Sequence, residues 1–116
     1  MSGKRAVITG STSVIGLGIA RAMAKAGADI VLNSFTNEDS DHALAASIAA
    51  EFGVNATFIQ ADMTSPDACR GLINAHETCD ILINNAGMQH VAPIDDFPVE
   101  KWDAIIAINL SSAFHT

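Results

Sequence analysis

Four short apolar runs recur along the chain, each followed by a stretch of helical periodicity. They are "RAVIT" (5–9), "DIVLN" (29–33), "ATFIQA" (56–61) and "DILIN" (80–84). After the first, Ile15, Ile19 and Met23 fall at i, i+4 and i+8, Arg21 and Lys25 lie off that stripe, and Gly27 is a stop. After the second, the polar "TNEDSD" leads into Leu44, Ile48 and Phe52, closed by Gly53. After the third, Thr64 or Ser65 can cap a helix with Pro66 at its first position, and Cys69, Leu72, Ile73 and His76 continue it. After the fourth, a loop containing Pro93 precedes a helix from about Pro98, with Trp102, Ile105, Ile106 and Leu110 on one face. Short apolar strands alternating with amphipathic helices predict right-handed βαβ units around a parallel sheet.

In such a sheet a ligand sits beyond the carboxyl ends of the strands, near the switch point beside the first strand. The conspicuous residues fall there: Gly10 to Gly16 after run one, Asn33 to Phe35 after run two, Asp62 after run three, Asn84 to Gly87 after run four. The expected architecture is an α/β, Rossmann-like doubly wound parallel sheet in strand order 3-2-1-4, with residues 1–116 as one dinucleotide-binding unit.

Composition narrows the function. Apolar residues make up 49% and charged residues 16% of the 116, against about 25% charged in an average domain. Either the strands are buried on both faces or apolar surface awaits a partner. A net charge of -7, with six Lys and Arg, excludes a general nucleic-acid binder. No apolar run approaches the roughly 20 residues of a membrane span, and the N-terminus runs straight into a strand pattern without a signal peptide. Cys69 and Cys79 form no CxxC and read as reduced cysteines of a cytoplasmic protein. His42, His76, His90 and His115 lack metal-ligand spacing, so no metal is expected.

Three motifs then carry a resemblance. "TGSTSVIG" puts Thr9, Gly10, Val14 and Gly16 at the positions of TGxxxGxG; "NNAG" (84–87) follows run four; "INLSS" (108–112) contains Asn109. In that order and on those elements, the chain resembles the short-chain dehydrogenase/reductase family over essentially its whole length. Within the family, "GMQH" followed by "FPVEKW" is most similar to the bacterial D-3-hydroxybutyrate dehydrogenases.

The resemblance implies an oxidoreductase that transfers hydride between NAD and a small hydroxy or keto acid, D-3-hydroxybutyrate and acetoacetate. Thr9, Gly10, Ser11, Thr12, Ile15 and Gly16 would form the phosphate turn, with Thr9 and Ser11 fixing the loop through their hydroxyls. The N–H groups around Ile15 would face the pyrophosphate, helped by the helix dipole. An acid at the end of strand two would bind the NAD ribose and an arginine the NADP phosphate; "NSF" (33–35) offers neither. Similar hydroxybutyrate dehydrogenases also lack the acid and place an aromatic near Phe35 beside the adenosine. Asp62 would bond the adenine amino group, Met63 would line its pocket, and Asn85, Ala86 and Gly87 would lie along the ribose, with Asn84 tying neighbouring strands. Gln89 would hold the substrate carboxylate. Asn109, on the buried stripe of Trp102 and Ile105, would be the catalytic helix asparagine supporting a proton relay.

Two departures bear on activity. Val14 stands where the motif has glycine, and a β-branched residue resists φ > 0, so weakened cofactor binding is expected. Family members are about twice as long, with a catalytic serine and a YxxxK pair in the second half; this sequence has no tyrosine. The chain therefore reads as an N-terminal fragment or truncated product, inactive by itself, whose full-length form would be a homo-oligomer, commonly a tetramer. The alternative is an inactive nucleotide-binding or interaction module.

Overall fold

Run two lies in the middle of a sheet, and its residues show why a continuous apolar strand is needed there. β2 (Asp29–Ser34) pairs in parallel with β1 (Arg5–Ile8) on one side and β3 (Ala56–Gln60) on the other. Ile30, Val31, Leu32 and Asn33 are all fully buried, because both faces of this strand are covered. A computed structural model describes all 116 residues. Its sheet has the expected order β3-β2-β1-β4, closed at one edge by the three residues of β4, Ile81–Ile83. Register is set by pairs such as Val7 with Val31 and Leu82.

The alternation of side chains sorts the core into two layers. On one face Ala6, Ile8, Ile30, Leu32 and Phe58 meet α1 (Val14–Lys25) and α2 (Asp39–Phe52). On the other, Val7 and Val31 meet Cys69 and Leu72 of α3 (Pro66–Asn74), with Ala61 and Met63. Each fully buried Ile or Leu contributes about 1.5–3 kcal/mol over an exposed one, so Ile48 fastens α2 and Leu72 fastens α3.

Local chemistry sets the helix ends. Ser65 caps α3 by accepting from the Ala68 N–H at 3.2 Å, with Pro66 at the first turn. Asp41 and Glu38 form a reciprocal capping box at the start of α2, and Gly53 ends that helix at φ 67°.

Two expected helix faces are corrected. In α1 the buried stripe is Gly16, Ala20 and Ala24, one residue on from Ile15, Ile19 and Met23. Ile19 and Met23 flank the core, while Ile15 is exposed. The helix approaches the sheet closely, so its smallest residues face inward. In α4 (Val99–Ile106) Trp102 is 59% exposed, and Leu110 and Asn109 are exposed as well. The following turn, Ala107–Ser111, is π-helical before α5 (Ser112–His115). The exposed side runs on through that turn, from Trp102 and Ile106 to Leu110 and Phe114, while Ile108 and Ser112 point inward. No helix is long and apolar enough to cross a membrane.

Candidate dinucleotide cleft

Beyond the carboxyl ends of the strands lies a cleft of about 640 Å³, within the usual size of a small-molecule site. Its floor is the turn from β1 into α1. Gly10 takes φ 59°, and a Cβ there would come 2.9 Å from the Ala86 Cα. Gly16 has even less room, wedged between the Asn85 amide and the Gly10 carbonyl. Both glycines are therefore dictated by space, and Gly10 by backbone conformation too.

Two asparagines hold this turn from opposite sides. The Asn85 amide donates to the carbonyls of Thr9 (3.2 Å) and Gly10 (3.0 Å). From β2, Asn33 Oδ1 accepts from the Gly10 N–H at 3.1 Å. Thr9 Oγ1 accepts from the N–H groups of Asn85 and Ala86, and Ser11 Oγ accepts from the Asn33 N–H. Thr9 and Ser11 are fully buried behind the turn and do not line the cleft. They fix the loop, as expected of their hydroxyls. Asn84 ties no strand: its Oδ1 accepts from the Thr116 hydroxyl, and the tie belongs to Asn85.

At the start of α1, the N–H groups of Val14, Ile15 and Gly16 have no partner in the protein. Ser13 at the cap makes no side-chain bond, and the first turn carries no acid. Such a helix start is open to an anion. Val14 is 84% exposed at the cleft and sits at φ 49°, the only non-glycine residue of the chain with positive φ. That conformation costs an L-residue about 1–2 kcal/mol.

The structure brings Gly10, Thr12, Ile15, Gly16, Phe35, Asp62, Met63, Asn85, Ala86 and Gly87 around this one cleft. Asp62 Oδ1 accepts from the Thr64 N–H and hydroxyl, 2.9 and 2.7 Å. Phe35 stands 72% exposed at the rim, its carbonyl held by Gln60 at 3.0 Å. Asp62 is the one charged side chain among the lining residues. Behind the wall, burial pushes the Cys69 thiol pKa up and the Asp62 charge adds to the rise, Arg70 pulling the other way. The Cys69 thiol meets the Met63 carbonyl at 3.6 Å. Burial likewise raises Cys79, reinforced by Asp80 and opposed by Arg5.

Gln89 is exposed and lies outside the cleft lining. Asn109, exposed rather than buried, spends its amide on one loop residue: Oδ1 accepts from Met88 N–H and Nδ2 donates to Met88 C=O, both at 2.8 Å. Met88 itself lines the cleft. Sequence reasoning missed Met88 and the role of Asn33, which reads as a turn residue until its buried partners are known.

The model of the short-chain dehydrogenases matches residues 4–116. The chain belongs to the short-chain dehydrogenase family. Over its whole length it is 50% identical to a D-beta-hydroxybutyrate dehydrogenase of Cupriavidus necator, covering 46% of that protein. Over 97% of its length it is 51% identical to a D-beta-hydroxybutyrate dehydrogenase of Rhizobium meliloti, covering 45%. This short-chain dehydrogenase sequence thus spans less than half the length of those relatives. Among solved structures, the L-sorbose reductase of Gluconobacter frateurii complexed with NADPH and L-sorbose superposes with TM-score 0.92 at 36% identity, over 99% of this chain and 45% of that one. An NADPH-dependent 3-quinuclidinone reductase from Rhodotorula rubra gives 0.91 at 32%, over 99% and 45%.

Proposed function

We propose that the chain forms the adenosine and pyrophosphate half of an NAD site, in an oxidoreductase that moves hydride between the dinucleotide and a small hydroxy acid. D-3-hydroxybutyrate and acetoacetate are the substrate pair, the reading supported by the names of the two relatives. The observation that carries the proposal is the row of unpartnered N–H groups at Val14, Ile15 and Gly16, opening into a cleft whose floor glycines leave no room for a side chain. In that cleft Gly10, Thr12, Ile15 and Gly16 would surround the pyrophosphate, Phe35, Asp62 and Met63 the adenosine, and Asn85 to Gly87 the ribose. When bound, the dinucleotide supplies the hydride-accepting ring; the chain's own residues bind and orient it.

Preference for NAD over NADP rests on charge. No Lys, Arg or His lines the cleft, so an added ribose phosphate would meet Asp62 without a cation to balance it. Asn109 would act by holding the Met88 loop at the mouth of the cleft, and Gln89 on that loop would meet the substrate carboxylate. The family's catalytic tyrosine has no counterpart in this sequence, so chemistry on the substrate alcohol falls to residues outside it. Two free cysteines favour a cytoplasmic setting. A homo-oligomer, tetrameric in full-length form, is what the family resemblance implies; the exposed row Val99, Trp102, Ile106, Leu110 and Phe114 is apolar surface open to a partner.

A second reading, an inactive nucleotide-binding or interaction module, is favoured by Val14 at φ 49°. Calorimetric titration of the chain with NAD, NADP and ADP separates a dinucleotide site from an interaction module that has lost it. Binding of NAD and ADP but not NADP supports the dehydrogenase half; no heat with any of the three at millimolar concentration overturns it.

A further inference from the structure

We infer that Asn33 is a positioning residue that couples the adenine wall of the cleft to its phosphate turn. The inference rests on the dinucleotide reading above and deepens it. Asn33 is 1% exposed, yet it lies on the cleft floor. Its Oδ1 holds the Gly10 N–H at 3.1 Å, on the phosphate side. Its Nδ2 donates the other way, to the carbonyls of Ile59 (3.1 Å) and Ala61 (3.3 Å), where β3 runs into the wall formed by Asp62 and Met63. Its backbone is locked as well: the N–H donates to Ser11 Oγ at 2.9 Å and the C=O accepts from the Ser11 N–H at 2.8 Å.

One side chain thus spans the ends of β1, β2 and β3. Both amide hydrogens are engaged with backbone carbonyls, so Asn33 has no donor left for a ribose hydroxyl. Its amide serves geometry rather than contact with a ligand. A carboxylate could not replace it. Ionised, an aspartate accepts only, and its second oxygen would confront the Ile59 and Ala61 carbonyls in a buried site. Protonated, it carries one O–H that can donate to either of them.

That asymmetry gives the test. The 116-residue chain and its Asn33→Asp variant are titrated with ADP by calorimetry between pH 5 and 8. The acidic groups near position 33 are Asp62 on the cleft wall and Asp41, which accepts from Thr36 beside Ser34. Both are present in the two proteins, so the wild-type profile is the reference. The variant is expected to bind ADP more weakly at pH 8, on the order of tenfold, and to approach wild type toward pH 5 as the buried acid protonates. Equal affinity throughout, or a loss that acid does not repair, overturns the coupling while leaving the dinucleotide reading intact. If the wild type binds no ADP, the dinucleotide reading itself falls and takes the coupling with it. Should the variant not fold, Asn33→Ser, too short to keep the Gly10, Ile59 and Ala61 bonds together, is titrated at pH 8: ADP affinity reduced several-fold supports the inference, and unchanged affinity overturns it.

Discussion

Gly16 and Asn85 touch through a gap that admits no methyl group. A Cβ on Gly16 would lie 2.5 Å from Asn85 Nδ2 and 2.5 Å from the Gly10 carbonyl oxygen. Gly16→Ala must therefore push α1 off the turn or break the Asn85 bonds to Thr9 and Gly10. Overpacking of this kind costs about 1–3 kcal/mol. A lower urea midpoint, with ADP binding weakened alongside it, is the expected outcome; unchanged stability would show that the turn yields freely.

Val14→Gly should act in the opposite sense. It removes the strain of φ 49° at an exposed position and gives up only the entropy of a glycine. The net gain is about 1 kcal/mol, read as a raised unfolding temperature. Removing the side chain from the mouth of the cleft should also tighten ADP and NAD. Loss of stability would mean that residue 14 relaxes to ordinary helical angles in solution.

The Asn109 amide closes on Met88 with two bonds at an exposed site. Asn109→Leu should cost about 1–2 kcal/mol, with the greatest rise in amide exchange at Met88 and its neighbours. Uniform exchange changes across the sheet would contradict so local a role.

Cofactor preference should follow charge at the rim. Phe35→Arg places a cation beside Ser34, where none lines the cleft. NADP binding should rise relative to NAD by on the order of tenfold, the worth of one exposed charge-assisted contact. An unaltered ratio would place the ribose elsewhere.

The raised cysteine values predict a falling stability at high pH. A folded thiol that holds its proton more tightly than an unfolded one adds stability below the unfolded value, about 8.5. That contribution disappears as pH rises through the folded value, because the unfolded chain ionises first. The urea midpoint should be level from pH 7 to 8 and lower by pH 10, and Cys69→Ala should flatten the slope, since Cys69 is the fully buried thiol. Iodoacetamide should reach the half-buried Cys79 before Cys69.

Strand order and the location of the cleft were legible because they follow from apolar period and chain direction, which are local. Gly10 and Gly16 were legible through their spacing. The burial of α1 was read one residue early: hydropathy favours the larger Ile15, whereas helix–sheet distance selects Gly16, Ala20 and Ala24. Asn33 could not be told apart from a turn residue, and the tie of Asn85 to the phosphate turn could not be read, since the partners that fix the turn lie 23 to 76 positions away. The phase of the last helix was unreadable for a different reason. Its most apolar side, Trp102, Ile106 and Leu110, is the exposed one, and hydropathy alone assigns such a side to the core.

The two layers of the core are unequal, ten buried residues on the α1–α2 face and six on the other. Local opening needs less work where fewer apolar groups must be wetted. The α1–α2 face is therefore expected to be the last to open, and the α3 face, with Cys69 and Leu72, the first. A cleft between two such layers has one firm wall and one yielding wall, and the entropy of ordering falls on the yielding side.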